Sequence, residues 1–514
     1  MTVAAAIRQA AERYAARTAL VECPGDGSRS DGRRISYGEL YERTIGLCAA
    51  LEAVGISRGA RLAVLLDNSI EMVVTEWVCL LGGYVWVALN TRSSADEIAA
   101  IVADSSPAIL VVAARYEHLV GALDRVSDCR LVMLDGGWDD LIAPVEAARE
   151  PVGGAASAPV RIRYTSGTSG RPKGAVLPRR SYDASLEIVS SVIGPLEESD
   201  VLVQVAPMTH AAGAMLLPHA AVGARALLVE RFDARAFIDL VARERATSVF
   251  LVPTMLVRVL DALDDPCRLS TLKTIVYGGA SMPVEPLAAG IERLGARFVQ
   301  IYGLTESTWP VTALGREDHL RRDGEDEAAW RHRLGSCGRP TPIGELRIVD
   351  EHGREVGVGE IGELWVRGRN TMTGYWKPPG GEQPDDAKGL DVAGWMHTGD
   401  LGWRDAEGYV TIVDRLGDMI VSGGFNVYPR EVEDALCSHP AVLEAAVVGR
   451  PSAEWGETVH AAVVLKPGAS VTSDALVAHC AMRIASYKKP RSLEIVESLP
   501  RNASGKTLRR LLRA

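Results

Sequence analysis

None of the eight cysteines (Cys23, Cys48, Cys79, Cys129, Cys267, Cys337, Cys437 and Cys480) stands in a CxxC pair. That absence argues against a structural zinc site or a disulfide scaffold and for reduced, mostly buried thiols. Positive charge is not in excess either. Lys and Arg number 56 against 66 Asp and Glu, for a formal net charge of −10, which speaks against broad nucleic-acid binding. A nucleotide is not excluded, because a small anion responds to the local field of its cleft. No serine lies in a G-x-S-x-G context, so Ser166, Ser169 and His210 do not read as a hydrolase triad. No signal peptide is expected from the first 22 residues, which read as an amphipathic helix interrupted early by Arg8, Glu12 and Arg13. One stretch, residues 72–89, is apolar enough to suggest a membrane span, but it carries Glu76 and two glycines and reads better as a buried helix and strand. Cytoplasmic residence without integral membrane association is the expectation.

What the chain does contain is concentrated in YTSGTSGRPKG at residues 164–174, where four hydroxyl side chains, three glycines and a lysine follow a short apolar run. Glycines expose backbone N–H groups, and hydroxyls and an ammonium add donors, so the mixture suits an anion such as a nucleotide triphosphate. It is not the P-loop of nucleoside triphosphatases, which needs a lysine preceded by glycine and followed by Ser or Thr. Here Pro172 precedes Lys173 and Gly174 follows it. An ordinary surface loop is the plainer alternative.

At 514 residues the chain is long enough for a large core and more than one unit. Apolar runs at 61–66, 108–112, 201–205, 248–252, 274–277 and 297–301 alternate with helical patterns. Several lead into loops of small or polar residues at 207–210, 278–280 and 302–306. Strands flanked by helices predict α/β layers, with ligands beyond the carboxyl ends of the strands. The charged segment 315–333 breaks the pattern and reads as a surface helix or an excursion. Residues 344–349 and 362–367 then alternate with period two between glycine-rich turns, as antiparallel strands of a barrel-like unit do. A boundary near 415–418 precedes a helix opening at Pro429, a strand over 459–465 and a helical tail over 508–512, enough for a small domain.

Five segments, taken together and in order, give a strong resemblance to the adenylate-forming superfamily of acyl-CoA synthetases, peptide-synthetase adenylation domains and luciferases. They are residues 164–174, YGLTE at 302–306, GWMHTGD at 394–400, YVTIVDR at 409–415 continued by SGGFN at 422–426, and RNASGK at 501–506. Ser169 stands where the family usually has threonine, which keeps the hydroxyl. The resemblance implies an α/β and α+β fold: an N-terminal adenylation domain (1–416) of two stacked βα sheets plus a distorted antiparallel barrel, and a small mobile C-terminal domain (417–514).

It also implies roles. Thr165, Ser166, Gly167, Thr168, Ser169, Gly170 and Lys173 would cradle the β- and γ-phosphates of ATP. Thr305 would contact the α-phosphate, and Glu306 would hold Mg²⁺, a bridging cation that makes a carboxylate near phosphates sensible. Tyr302 and Gly303, with Gly279 and Ala280, would flank adenine, Asp400 would accept from the ribose hydroxyls, and Arg415 would serve the ribose or a phosphate. Lys506 would reach both the α-phosphate and the attacking carboxylate, stabilising charge in the transition state. His210 would stand beside the acid's carboxylate. Gly423, Gly424 and Phe425 would line the path of a thiol, coenzyme A in the first instance. Each has a plainer reading: a solvated loop acid for Glu306, a turn residue for Asp400, a core residue for Tyr302 or His210, and a hairpin turn for the two glycines.

The reaction implied is ATP-dependent activation of a carboxylic acid as an acyl-AMP, followed by transfer to CoA. The family commonly carries Lys or Asp at the hinge between the domains, where this chain has Gly417. Rotation of the small domain is expected, with an altered balance of its two states. Small residues around His210 (Ala211, Ala212, Gly213, Ala214 and Met215) leave volume for a bulky apolar or aromatic acid. The alternatives are an enzyme that loads a separate carrier protein, one specialised for a single half-reaction, and a non-catalytic nucleotide-binding scaffold. A monomer or a homodimer fits equally.

Overall fold

The computed structural model describes residues 1–23, 32–119, 129–134, 154–166, 172–308, 310–378, 390–452, 454–501 and 507–513. The chain divides into two compact units, Met1–Leu346 with Val366–Met396, and Arg347–Trp365 with His397–Ala514.

The first unit is built on two mainly parallel sheets. One has nine strands, with Phe298–Tyr302, Thr274–Gly278, Ser248–Leu251, Val201–Gln204, Arg225–Val229 and Thr18–Cys23 parallel in that order. Its edges, Arg34–Ser36 on one side and Thr312–Leu314 with Arg339–Pro340 on the other, run antiparallel. The other has seven strands in the order Gly374–Tyr375, Pro172–Pro178, Pro159–Ser166, Val85–Ala88, Arg61–Leu65, Ile109–Val112 and Arg130–Met133. The central strands are runs of Val, Ile and Leu buried on both faces, as parallel sheets covered by helices require.

The helix Ile70–Gly82 explains the false hint of a membrane span. All thirteen of its residues are buried, and it packs on strands of both sheets, so it is apolar all round because protein surrounds it. Ser69 caps its first turn and Gly83 ends it. Among the described residues, no helix is long and apolar enough to cross a membrane. Asn68, just before this helix, donates through Nδ2 to the carbonyls of Gln204, Ala206 and Val229 at 3.1–3.2 Å. Its Oδ1 accepts from the Met208 N–H at 3.0 Å. One amide thereby ties the carboxyl end of a strand in one sheet to the carboxyl ends of two strands in the other.

The charged segment 315–333 is anchored rather than a free surface excursion. It forms two short helices, Arg316–His319 and Glu327–Leu334. His319 meets the Tyr277 hydroxyl at 2.9 Å, Trp330 donates to the His319 carbonyl, and buried Arg333 pairs with Glu325. Charge density alone hid these inward-facing groups.

A four-stranded sheet in the order Gly344–Val349, Gly362–Gly368, Met396–Arg404 and Val410–Arg415 draws most of its residues from the second unit. A further sheet orders Phe425–Val427, Ile420–Ser422, Gly456–Leu465 and Val442–Ser452, with Ser492–Ile495 parallel to Gly456–Leu465. The helices Pro429–Cys437 and Ser473–Ala481 supply Val432, Leu436, Leu476 and Cys480 to an apolar core with Val447, Val459, Ala461 and Val463. The tail is a short 3-10 helix, Arg509–Leu512. Arg509 meets Glu433 at 2.8 Å and Asp418 at 3.1 Å, and Arg513 meets Asp418 at 2.9 Å. All eight cysteines are free, and Cys23, Cys48, Cys79, Cys337 and Cys480 are buried.

Candidate active site

The phosphate-loop stretch joins two antiparallel strands, with Thr165 opposite Lys173 and Ser166 opposite Pro172. Two antiparallel strands, rather than a strand and a helix, therefore flank the stretch, a geometric counterpart of the missing P-loop pattern. Tyr164 faces away from its neighbour Thr165. Its ring packs in the apolar core and its hydroxyl donates to Asp104 at 2.5 Å. Gly174 is required by packing, since a Cβ there would lie 2.6 Å from Ile162 and 3.1 Å from Tyr164. Gly167, Thr168, Ser169, Gly170 and Lys506 lie outside the described residues, as does the side chain of Ser166.

Thr305 and Glu306 sit half-buried in the loop after the strand Phe298–Tyr302. The loop is held by residues 370–372, a segment that carries no motif in the sequence. Met372 N–H donates to the Glu306 carbonyl at 2.7 Å, Ser307 bridges Thr371, and Asn370 exchanges bonds with Thr308. Tyr375, two residues further in the strand Gly374–Tyr375, donates its hydroxyl to Glu306 Oε1 at 2.8 Å. The Lys173 ammonium lies 5.8 Å from the centre of the same Tyr375 ring. Lys173 of one motif and Glu306 of another thus converge on one tyrosine. No local pattern marked Tyr375; only its pairing beside Val176 and Ala175 brings it there.

Tyr302 and Gly303 are half-buried at the end of their strand, while Gly279 and Ala280 are exposed at the end of the neighbouring one. Gly278 allows those two strands to approach, because a Cβ there would fall 2.2 Å from the Ile301 carbonyl oxygen.

His210 begins a 3-10 turn, Ala211–Met215, and its Nε2 lies 3.2 Å from Asn90 Nδ2. Burial, with the charges of Arg163, Arg161 and Arg92 behind it, pulls its pKa down to about 4, so the imidazole is neutral near pH 7. Arg161 fixes this turn from below, donating to the Thr209 carbonyl at 2.8 Å and to Tyr182 at 3.1 Å, with its guanidinium 4.2 Å from the Trp86 ring. Glu76 lies 3.8 Å from Arg161, and burial pushes its carboxyl up to about 7. Next to the His210 turn, Ala211, Ala214, Met215, Phe250, Val276 and Ile301 line a narrow apolar cavity.

In the second unit, Asp400 and Arg415 stand directly opposite each other on paired strands, with Arg415 Nε 3.0 Å from Asp400 Oδ1. Asp400 is buried and its backbone N–H is held by the Thr398 hydroxyl at 3.0 Å. Gly423 and Gly424 form the two-residue turn of a hairpin with φ of +58° and +82°, a conformation that strongly favours glycine. Phe425, 57% exposed, follows them and packs against Tyr487 in a tilted arrangement with ring centres 4.8 Å apart. Gly417 sits in the turn after Arg415. Its φ is not left-handed, and a Cβ there would meet nothing within 4 Å.

Comparison with known proteins agrees in extent with these elements. Residues 7–376 match the AMP-binding enzyme family and residues 431–506 its AMP-binding enzyme C-terminal domain. The chain is 33% identical to a medium/long-chain-fatty-acid–CoA ligase of Mycobacterium tuberculosis, over 94% of this chain and 86% of that one. It is 35% identical to a feruloyl-CoA synthase of an Amycolatopsis species, over 94% of each. Among solved structures, o-succinylbenzoate coenzyme A synthetase from Bacillus subtilis, in complex with ATP and magnesium ion, superposes with a TM-score of 0.84 at 29% identity, covering 99% of both chains. The chain belongs to the AMP-binding enzymes, that is, to the adenylate-forming superfamily and its acyl-CoA ligases.

Proposed function

We propose that the protein is an ATP-dependent carboxylic acid–CoA ligase, forming an acyl-AMP and then an acyl-CoA thioester. The observation that carries this reading is the convergence of Lys173 and Glu306 on Tyr375, which assembles a cation and a carboxylate from two distant motifs beside the strands that flank the phosphate stretch. A carboxylate is a poor electrophile. Its oxygen attacks the α-phosphorus, the bond to pyrophosphate breaks, and the electron pair leaves with pyrophosphate. Such a reaction needs alignment and charge neutralisation rather than a protein nucleophile.

In this reading Thr165, Ser166, Gly167, Thr168, Ser169, Gly170 and Lys173 hold the β- and γ-phosphates, and Thr305 the α-phosphate. Glu306 suits Mg²⁺: it is a hard oxygen donor whose second carboxylate oxygen makes no hydrogen bond among the described residues, while Tyr375 orients the first. The bound ion would neutralise phosphate charge. Tyr302, Gly303, Gly279 and Ala280 flank the base. Asp400, oriented by Arg415, accepts from the ribose hydroxyls, and Lys506 bridges carboxylate and α-phosphate. Neutral His210 orients the acid without adding charge. The thiol passes Gly423, Gly424 and Phe425, and the small domain is assigned to residues 417–514. The apolar lining of the narrow cavity beside His210 favours an apolar acyl group, for which the cavity would have to widen.

Incubation with ATP, CoA and ferulate, decanoate or 2-succinylbenzoate tests this. AMP release matched by thioester is the expected result. ATP binding with no pyrophosphate release for any acid would point to a nucleotide-binding scaffold instead, and AMP release without thioester would point to a different acceptor, such as a carrier-protein thiol.

A further inference from the structure

The strand Pro159–Ser166 sends alternate side chains to opposite sides. Ile162 and Tyr164 enter the apolar core with Val176 and Trp376. Arg161, Arg163 and Thr165 share the other side, which Arg161 presses against the His210 turn through Thr209. Arg161 spends its terminal nitrogens there on Thr209 and Tyr182 and lies beside Trp86 and Glu76. Arg163 has no such set of contacts. The Nε of both arginines is buried without a hydrogen-bond partner among the described residues.

The charges around Arg163 do not balance it. It lies in the field of Arg161 on one side and of Glu76 and Glu306 on the other, and among the arginines around His210 it acts most strongly on the imidazole. Glu76 lies 3.8 Å from Arg161, and burial raises the pKa of its carboxyl. Arg163 is half-buried, with its Nε enclosed, and a guanidinium so placed without a fork of acceptors suits an incoming anion. Along the strand, Arg163 stands two residues before Thr165, where the phosphate stretch begins, and two after Arg161, which braces the His210 turn. It is therefore between the two places where the triphosphate and the acid are expected.

We propose that Arg163 receives the reacting carboxylate of the acid, holding it beside His210 as it meets the α-phosphate. The inference rests on the ligase reading. Two parallel N–H donors fix a carboxylate's plane as well as its charge, and a cation between two anions lowers the repulsion they must overcome. His210, neutral and steadied by Asn90, adds a hydrogen bond without a competing charge.

The test is ATP–pyrophosphate exchange by the full chain, comparing wild type with Arg163→Met and Arg163→Lys, with ferulate, decanoate and 2-succinylbenzoate as probes. With Arg163→Met, the KM for every accepted acid should rise by about 10–100-fold, the weight of a charge-assisted hydrogen bond. Lysine should recover part of the loss, and the KM for ATP should change by less than about threefold, well under that single-bond effect. A loss confined to the dicarboxylate 2-succinylbenzoate, or a rise in the KM for ATP instead, overturns the assignment. Melting temperature gives a second readout: Arg163→Met should melt at or above the wild type, and an accepted acid should raise the melting temperature of the wild type only. A variant that melts well below wild type with an unchanged acid KM assigns Arg163 to the fold. If no acid supports exchange in the wild type, the ligase reading and this inference fall together; exchange with equal acid KM in both proteins defeats only the inference.

Discussion

The Tyr375 hydroxyl donates to Glu306 Oε1 at 2.8 Å across 69 residues of sequence. This bond orients one oxygen of the carboxylate proposed to hold the cation, and the same ring lies beneath Lys173. Tyr375→Phe removes the hydroxyl and keeps the ring. It should lower kcat/KM for adenylation by about 5–30-fold, as loss of one hydrogen bond to a charged group does. Raising the Mg²⁺ concentration should recover part of the loss. Pyrophosphate exchange at graded Mg²⁺ checks this, and an unchanged Mg²⁺ dependence would count against the role given to Glu306.

His210 carries a pH signature. Burial and the arginines Arg163, Arg161 and Arg92 hold its pKa at about 4 against an ordinary 6.5, and Asn90 is its neighbouring hydrogen-bonding side chain. A depressed pKa means that the stability from this neutral imidazole is complete above pH 6.5 and is lost as pH falls towards 4. Relative to His210→Gln, the wild type should lose on the order of 1–2 kcal/mol over that interval, with no relative change between pH 7 and 8. Denaturant titrations of both proteins across this range measure it. A difference that grows above pH 7 would contradict the assignment.

Gly417 and Lys506 separate the two half-reactions. The space around Gly417 and its ordinary φ admit a side chain, so Gly417→Ala should leave both steps within about threefold of wild type, as expected for a substitution without strain. Gly417→Pro should leave adenylation intact and sharply reduce thioester formation, because proline restricts the backbone at the proposed hinge. Lys506→Ala should show the opposite pattern, with adenylation down about 10²–10³-fold and transfer from supplied acyl-AMP retained. Equal losses in both half-reactions for Gly417→Pro would defeat the hinge assignment.

Gly423 and Gly424 should differ as stability positions. Both have left-handed backbone, but a Cβ on Gly423 would lie 2.7 Å from the Trp455 ring, whereas Gly424 has open space. Gly424→Ala should cost about 1–2 kcal/mol for the conformation alone, and Gly423→Ala about 2–4 kcal/mol once overpacking is added. Chemical denaturation of the two variants compares them. Equal costs would mean that Trp455 moves aside freely.

Much of the fold was legible locally. The apolar runs at 201–205, 248–252, 274–277 and 297–301 are strands Val201–Gln204, Ser248–Leu251, Thr274–Gly278 and Phe298–Tyr302, because a buried parallel strand is nearly continuous in β-branched and aliphatic residues. The apolar stretch at 72–89 resolves into the helix Ile70–Gly82 and the strand Val85–Ala88 by the same reasoning from Glu76 and the glycine pair. The buried anchors of the segment 315–333 were not legible. Trp330 and Arg333 read as members of a charged surface run until His319 and Glu325 are seen to receive them.

The sequence by itself determined the superfamily and the strand-and-helix alternation, and it singled out the hydroxyls, glycines and lysine proposed to bind phosphate, since these are properties of residue type and spacing over a dozen positions. Only the tertiary structure decided that the strands flanking the phosphate stretch pair antiparallel, that Tyr375 steadies Glu306, that Asn68 joins the two sheets, and that Arg161 rather than Arg163 braces the turn at His210. Those relationships depend on which strand lies beside which and on what each buried charge finds as a partner. Neither is written in local periodicity, because the partners are supplied by chain tens to hundreds of residues away.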